Sequence, residues 1–240
     1  MYFHCPGAVS AKLMSENMTI SIRSLAKKAL KIDSWNSDDD QARLVAGAQV
    51  VFDVGANVGQ SAKTYRRLYP HADIWSFEPF PNTYEHLCRS LADEKFHPVA
   101  LALSDQISKA ELNIGAVSIT NSLLRRETDT GEAIEIQTDT LDHFCSEHDI
   151  SNIDILKVDV EGAEDRVFRG AKDMLSRRAI RSVFVEVYFR PVYDGMPMFW
   201  DLNAQLSNFG FGLRGLYSLS SSRDGLLSFG NALYLRRSDC

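Results

Sequence analysis

From residue 47 onward the chain alternates short apolar runs with helix-like segments, and this alternation constrains its fold more than any other feature. Gln49–Val54 reads as a strand that ends at Gly55-Ala56-Asn57-Val58-Gly59. Gln60–Tyr69 reads as a helix stopped by Pro70, Asp73–Phe77 as a second strand, Asn82–Leu91 as a helix and Phe96–Leu103 as a third strand. Strands separated by helices need crossover connections, which pair the strands in parallel and cover both faces of the sheet. The expected fold is therefore α/β, with a doubly wound, mostly parallel sheet. The alternation breaks once: Lys109–Ile114 and Ala133–Thr138 read as a β-hairpin insertion after the third strand. The polar stretch joining them carries Asn121, Ser122, Arg125 and Arg126. A helix is expected near Thr140–His148, with Thr140 as its cap and Asp142 in its first turn. Ile153–Val158 and Arg181–Phe189 read as buried strands flanking a helix over Ala163–Leu175. A helix at Phe199–Asn208 and strands near Phe211–Leu219 and Ala232–Arg236 complete the pattern.

A chain of 240 residues buries about 70–75% of the surface it exposes when unfolded, enough for one ample core. The sequence assigns residues 46–240 to that core domain and residues 1–45 to an N-terminal extension. Within the extension, Ile22, Leu25, Ala26, Ala29 and Leu30 recur at helical spacing among Arg23, Lys27, Lys28 and Lys31. That pattern predicts a basic amphipathic helix lying on the body of the domain. Ser37–Asp40 reads as a polar break. With 24% charged and 45% hydrophobic residues the composition is globular. A net charge of −6 without long Lys/Arg blocks argues against a nucleic-acid partner, since that affinity comes from neutralised phosphates. No apolar run reaches the length of a transmembrane segment, and the first residues lack the basic and apolar regions of a secretory signal. Cys5, Cys88, Cys145 and Cys240 are scattered, as reduced thiols are. These features together predict a cytoplasmic protein.

Ligand chemistry concentrates first at Val50-Val51-Phe52-Asp53-Val54-Gly55-Ala56-Asn57-Val58-Gly59. A strand running into a glycine-bearing turn that opens a helix is the nucleotide-approach element of such sheets. Asn57 stands where a dinucleotide fingerprint places its second glycine, so a pyrophosphate is less easily accommodated. Asp53, two places before Gly55, suits a cofactor bearing a cationic amino group, such as S-adenosylmethionine. Glu78, twenty-three residues beyond Gly55, is placed to accept hydrogen bonds from both hydroxyls of an adenosine ribose. Ser104 and Asp105, after the third strand, are placed to meet the adenine amino group. The candidate cofactor-binding residues are thus Asp53, Gly55, Asn57, Gly59, Glu78, Ser104 and Asp105.

Val-Phe-Asp-Val-Gly-Ala-Asn-Val-Gly-Gln, Trp-Ser-Phe-Glu-Pro-Phe and Ala-Leu-Ser-Asp together resemble the FkbM-type family of S-adenosylmethionine-dependent methyltransferases. The resemblance continues in order through Thr140-Leu141-Asp142, the run from Asp154 to Glu164 and Val185-Glu186-Val187, and covers roughly residues 45–236. Asn231-Ala232-Leu233 departs from it, standing where such proteins often carry an acid. The resemblance implies a Rossmann-like class I methyltransferase fold. It also implies O-methylation of a hydroxyl on a sugar, polyketide or other natural product, with S-adenosylmethionine as cofactor and a small molecule or glycan as acceptor.

A second acidic group, Asp159, Glu161 and Glu164, follows the strand Ile153–Val158, at the carboxyl edge where open sheets bind ligands. Glu164 and Asp165 also fit the first turn of a helix, whose dipole favours acids. Gly162 beside Asp159 and Glu161 permits close approach of a substrate, and Glu186 ends the next buried strand. The candidate catalytic residues are Asp159, Glu161, Lys157 and Glu186. Asp159 or Glu161 would take the acceptor's proton as general base. Alternatively, Asp159, Glu161 and Glu186 would hold a divalent metal that acidifies the hydroxyl. Base catalysis without metal is the expectation. Two other readings share the fold: an NAD-dependent oxidoreductase served by Gly55 and Glu78, and a non-catalytic cofactor-binding module.

Overall fold

The computed structural model describes residues 36–116, 120–127 and 129–237. The amphipathic helix expected over residues 20–32 lies outside them. The chain enters through helix α1 (Ser37–Leu44) and then builds β1 (Val50–Val54), α2 (Gln60–Leu68), β2 (Asp73–Phe77), α3 (Pro81–Leu87) and β3 (Phe96–Val99). Next come β4 (Ala102–Leu103), β5 (Ser108–Asn113), β6 (Ala133–Asp139), α4 (Leu141–Glu147) and β7 (Ile153–Val158). The remainder is α5 (Glu164–Arg169), α6 (Lys172–Ser176), β8 (Ile180–Tyr188), α7 (Phe199–Asn208), β9 (Phe211–Ser221) and β10 (Leu227–Arg236).

Seven strands form the main sheet in the order β3-β2-β1-β7-β8-β10-β9. β3, β2, β1, β7 and β8 pair in parallel, and β10 lies antiparallel between β8 and β9. The strand order reverses between β1 and β7, which is where open α/β sheets place their ligand crevice. The β-branched run of β1 is buried on both faces. Phe52 and Val54 join a core with Leu156, Val158, Phe144 and Phe168, while Val51 joins Ile155, Ala62, Tyr65 and Leu87 on the other side. Helices therefore clamp the central strands from both sides, so the ends of β1 and β7 are rigid supports.

The insertion after the third strand is the expected hairpin: β5 and β6 pair antiparallel from Ser108 opposite Thr138 to Asn113 opposite Ala133. It is more than an appendage. The strand read as Phe96–Leu103 breaks after Val99, where the Leu101 N–H turns back to donate to the Val99 carbonyl. Its last two residues, as β4, leave the main sheet and pair in parallel with β6. The result is a second, three-stranded sheet at the crevice.

Two other elements differ from their sequence reading, each through tertiary contact. Ser37–Asp40 is not a polar break but the first turn of α1, where Asp38, Asp39 and Asp40 oppose the helix dipole. The Tyr65 hydroxyl donates to Gln41 and the Tyr217 hydroxyl to Asp40, which bind α1 to the body. The helix expected over Ala163–Leu175 is two helices, divided at Gly170. A Cβ there would sit 1.9 Å from the Ser104 carbonyl, so the break accommodates the chain leaving β4. Thr140 caps α4 as expected, its Oγ1 accepting from the His143 N–H at 3.1 Å. Asp142 lies in the first turn of α4, also as expected, and its carboxylate in addition accepts from the N–H groups of Asp173 and Met174 at the start of α6. Cys88 and Cys145 are free thiols.

Candidate active site

A cleft of about 290 Å³ opens where β1, β2 and β7 end, with the second sheet as its far wall. Its floor is the turn after β1. Gly55 adopts φ +78, and a Cβ on it would meet the Asp159 carbonyl at 1.8 Å. Only glycine allows the β1 and β7 loops to lie this close. Asn57 also takes a left-handed φ of 48, a conformation asparagine tolerates, with its Oδ1 accepting from the Val58 N–H. Gly59 does not reach the cleft; it lets α2 pack against Ser90.

Glu78 lines the cleft beside this turn. Its Oε2 accepts from the Asn57 N–H and its Oε1 from the Phe80 N–H, both at 2.9 Å. Burial raises its pKa, tempered by those N–H donors. Each oxygen keeps a further lone pair for a ligand. Opposite Glu78 the wall is apolar: Leu101, Ala102 and Leu103 from the strand break, Leu112 from β5 and Leu123 from the insertion.

Asp53 and Lys157 face each other in register across β1 and β7. Asp53 is fully buried and does not line the cleft, contrary to its expected place beside a cationic cofactor. The register explains this: its side chain is committed to Lys157, whose Nζ lies 3.0 Å from Asp53 Oδ1. Lys157 also donates to the Gly55 carbonyl at 3.1 Å and lies 3.4 Å from Asp159 Oδ2. Burial alone would discharge the ammonium, but Asp53 and Asp159 outweigh it and hold the pKa above its ordinary value. One hydrogen bond and two ion pairs of Lys157 thus brace the β1 turn against the β7 turn.

Asp159 and Glu161 line the cleft at the end of β7. The turn carrying them is held by Glu164, whose Oε1 accepts from the N–H groups of Val160 and Gly162. Glu164 is fully buried, with its pKa pushed up to about 8 by burial. It opens α5, as its place in a first helical turn predicts, but as a buried acid and not a solvated one. Glu161 Oε2 accepts from the Tyr193 hydroxyl at 2.5 Å and lies 3.0 Å from the Tyr188 hydroxyl. Tyr188 in turn lies 2.6 Å from Glu186 Oε2. One hydroxyl holds one proton, so the second of these contacts needs a proton on a carboxyl. Burial, with Asp159 and Glu161 nearby, pushes Glu186 up to about 9. With a proton on Glu186, the Tyr188 hydroxyl is free to donate to Glu161, so the two carboxyls and the hydroxyl form one hydrogen-bonded chain. Asn231 stands opposite Glu186 across β8 and β10. Carboxylate oxygens of Asp159, Glu161 and Glu186 lie within 4.8 Å of one another.

Of the candidate residues, Gly55, Asn57, Glu78, Lys157, Asp159 and Glu161 line the cleft, while Asp53, Gly59, Ser104, Asp105 and Glu186 do not. Ser104 is buried against Gly170, and Asp105 pairs with Arg169 at 3.0 Å. The turn after β4 directs both toward α5 and away from the cleft. The apolar triplet just before them lines the wall instead, and the reading of the sequence weighed polar residues alone there. Ser122 contributes a latch: its Oγ donates to the Glu161 carbonyl at 2.6 Å, joining the insertion to the acidic turn.

A seven-stranded sheet with its final strand inserted antiparallel, and a ligand cleft at the β1/β7 reversal, defines the Rossmann-like class I methyltransferase fold. A solved structure from Listeria monocytogenes, assigned to the S-adenosylmethionine dependent methyltransferases, shares it with a TM-score of 0.51. That match is 6% identical and covers 84% of this chain and 98% of the other. More specifically, the chain belongs to the methyltransferase FkbM domain family, which it matches over residues 53–213. Among relatives, the 31-O-demethyl-FK506 methyltransferase FkbM of Streptomyces tacrolimicus is 31% identical, over 58% of this chain and 65% of that protein. The 2-O-methyltransferase NoeI of Sinorhizobium fredii is 25% identical, over 61% of this chain and 66% of its own length. The match thus spans slightly less than two thirds of each relative.

Proposed function

We propose that this protein transfers a methyl group from S-adenosylmethionine to a hydroxyl of a small natural product or glycan. One observation carries the reading: the cleft joins a nucleoside-shaped half to an acidic half. In the first half the Gly55–Asn57 turn, the Glu78 carboxylate and the apolar wall of Leu101, Ala102 and Leu103 converge. These fit the cofactor: two carboxylate oxygens for a ribose diol, an apolar wall for adenine and a close backbone turn for the remainder. Asp159, which faces the cleft, takes the place beside the cationic end that the sequence assigned to Asp53. The names of both relatives specify oxygen as the methylated atom.

When bound, S-adenosylmethionine supplies an electrophilic methyl whose bond to sulfur breaks as the new bond to oxygen forms. The protein must align the acceptor oxygen and remove its proton. Glu161 is suited to the second task. Its Oε2 is committed to tyrosine hydroxyls, which leaves Oε1 for the acceptor. Burial raises its pKa, which strengthens it as a base. Lys157 and Glu186 act behind it: Lys157 braces the two loops, and Glu186 orders the hydroxyl chain through Tyr188. A second reading has Asp159, Glu161 and Glu186 around a divalent cation, and the close spacing of their oxygens favours it. Loss of turnover with a chelator and its return with magnesium would select that reading.

Thermal denaturation with S-adenosylhomocysteine and with NAD tests the cofactor, because a ligand of the native state raises the melting temperature by mass action. A rise with S-adenosylhomocysteine is expected, whereas a rise with NAD alone would overturn the proposal. Glu161→Gln should keep that rise and lose methyl transfer. Wild-type turnover in this variant would remove Glu161 from the chemistry.

A further inference from the structure

The insertion brings a cation up behind Tyr193, beside the acidic group at the cleft, that the methyl-transfer reading leaves without a task. The Arg126 guanidinium carbon lies 5.6 Å from the centre of the Tyr193 ring, and the hydroxyl of that ring donates to Glu161. Arg126 is held there by its backbone: its N–H donates to Asp129 Oδ2 at 2.7 Å, and the carbonyl of Arg125 accepts from the Asp194 N–H at 2.9 Å. Leu124 packs with Tyr188, Tyr193 and Met196, fixing the same segment from its apolar side. Among the described residues no carboxylate comes within ion-pair distance of the Arg126 guanidinium, although its field reaches Glu161. It is half-buried, so it is partly desolvated.

A guanidinium in this setting presents a planar fork of N–H donors that matches a carboxylate or phosphate. The tyrosine face beneath fixes its orientation. The surroundings allow an anion to bind. Lys157 answers Asp53 and Asp159, and Glu186 is engaged by the Tyr188 hydroxyl. Asp129 is engaged by the Arg126 N–H, and Tyr193, whose hydroxyl donates to Glu161, lies between that carboxylate and the guanidinium.

We propose that Arg126 is the acceptor-specificity residue of this enzyme, and that the methylated molecule carries an anionic group, carboxylate or phosphate, beside its reacting hydroxyl. The proposal rests on the methyl-transfer reading. Bound to Arg126, the anion lies one tyrosine ring from Glu161, which places a neighbouring hydroxyl at the base. Transfer to the hydroxyl leaves the anion unchanged, so the product keeps its charge.

The test uses the full-length protein, S-adenosylmethionine labelled in its methyl group, and a small-molecule extract of the source cells, with a control lacking enzyme. Products are separated by anion exchange. The label is expected in the retained, acidic fraction. Phosphatase treatment then distinguishes the two sources: a phosphate-bearing product moves to the neutral fraction, and a carboxylate-bearing one stays. Arg126→Gln should lower labelling at limiting acceptor at least tenfold while leaving S-adenosylhomocysteine affinity unchanged. Label in the neutral fraction alone, or wild-type labelling by Arg126→Gln, overturns the proposal and leaves methyl transfer standing. No enzyme-dependent label in any fraction, at any concentration of extract, overturns both.

Discussion

Replacing Gly55 with alanine puts the architecture of the cleft to a quantitative test. An L residue at φ +78 pays about 1–2 kcal/mol for the left-handed conformation. The new Cβ would also stand 1.8 Å from the Asp159 carbonyl, where ordinary contact begins near 3.4 Å. Neither side yields easily. The Gly55 and Ala56 N–H groups donate to the Phe77 carbonyl, and the Asp159 N–H donates to the Val54 carbonyl. The Gly55 carbonyl is held by Lys157. Opening the gap sacrifices one or two of these bonds at about 1 kcal/mol each, for a total of roughly 2–4 kcal/mol. Gly225→Ala is the control, because Gly225 has φ +82 with nothing within 4 Å of its Cβ position. It pays the conformational cost alone. At about 2–4 °C per kcal/mol for a chain of this size, Gly55→Ala should melt roughly 10 °C below wild type and Gly225→Ala only a few degrees below. Calorimetric titration with S-adenosylhomocysteine should show at least a tenfold loss for Gly55→Ala and none for Gly225→Ala. Equal melting temperatures for the two variants, with wild-type affinity in both, would refute the close approach of the two loops.

Three further substitutions probe the buried ionisable groups. Lys157→Met strands Asp53 in the core without its cation and should cost about 3–5 kcal/mol in urea unfolding. Adding Asp53→Asn should recover a large part of that loss, and strict additivity of the two substitutions would contradict the pairing. Glu164 makes stability depend on pH: its folded pKa of about 8 exceeds the ordinary 4.5, so the native state holds a proton that the unfolded chain releases. Its contribution is complete below pH 4.5, declines as pH rises and is gone above pH 8. The slope has a ceiling of about 1.4 kcal/mol per pH unit. Glu164→Gln should remove this part of the slope between pH 5 and 8, and an unchanged slope would place the ionisation elsewhere.

The sequence shows the scaffold well because its signals are local. The apolar strand ended at Gly55, the helix stopped at Pro70, the alternation of β5 and β6 and the Thr140 cap each act within a few residues of themselves. What it obscures depends on register and on distant neighbours. Asp53 lies two places before the glycine turn, but Lys157 stands opposite it one strand away and claims its carboxylate. Ser104 and Asp105 follow a strand end as expected, yet β4 leaves the main sheet and turns them toward Gly170 and Arg169. The split at Gly170 is invisible locally, since the helical pattern continues through it and only the Ser104 carbonyl requires it. Tyr188 and Tyr193 carry no motif at all. Their meaning comes from Glu161 and Glu186, which the fold brings to the same hydroxyls.

Methyl transfer itself is the central claim, and isotopic labelling tests it most directly. Purified protein, methyl-labelled S-adenosylmethionine and a host metabolite extract should yield a labelled product that carries the methyl on oxygen, one S-adenosylhomocysteine accumulating for each methyl transferred. The same reaction with Glu161→Gln should yield none. Label on nitrogen or carbon, or no label with a protein that binds S-adenosylhomocysteine, would contradict the account.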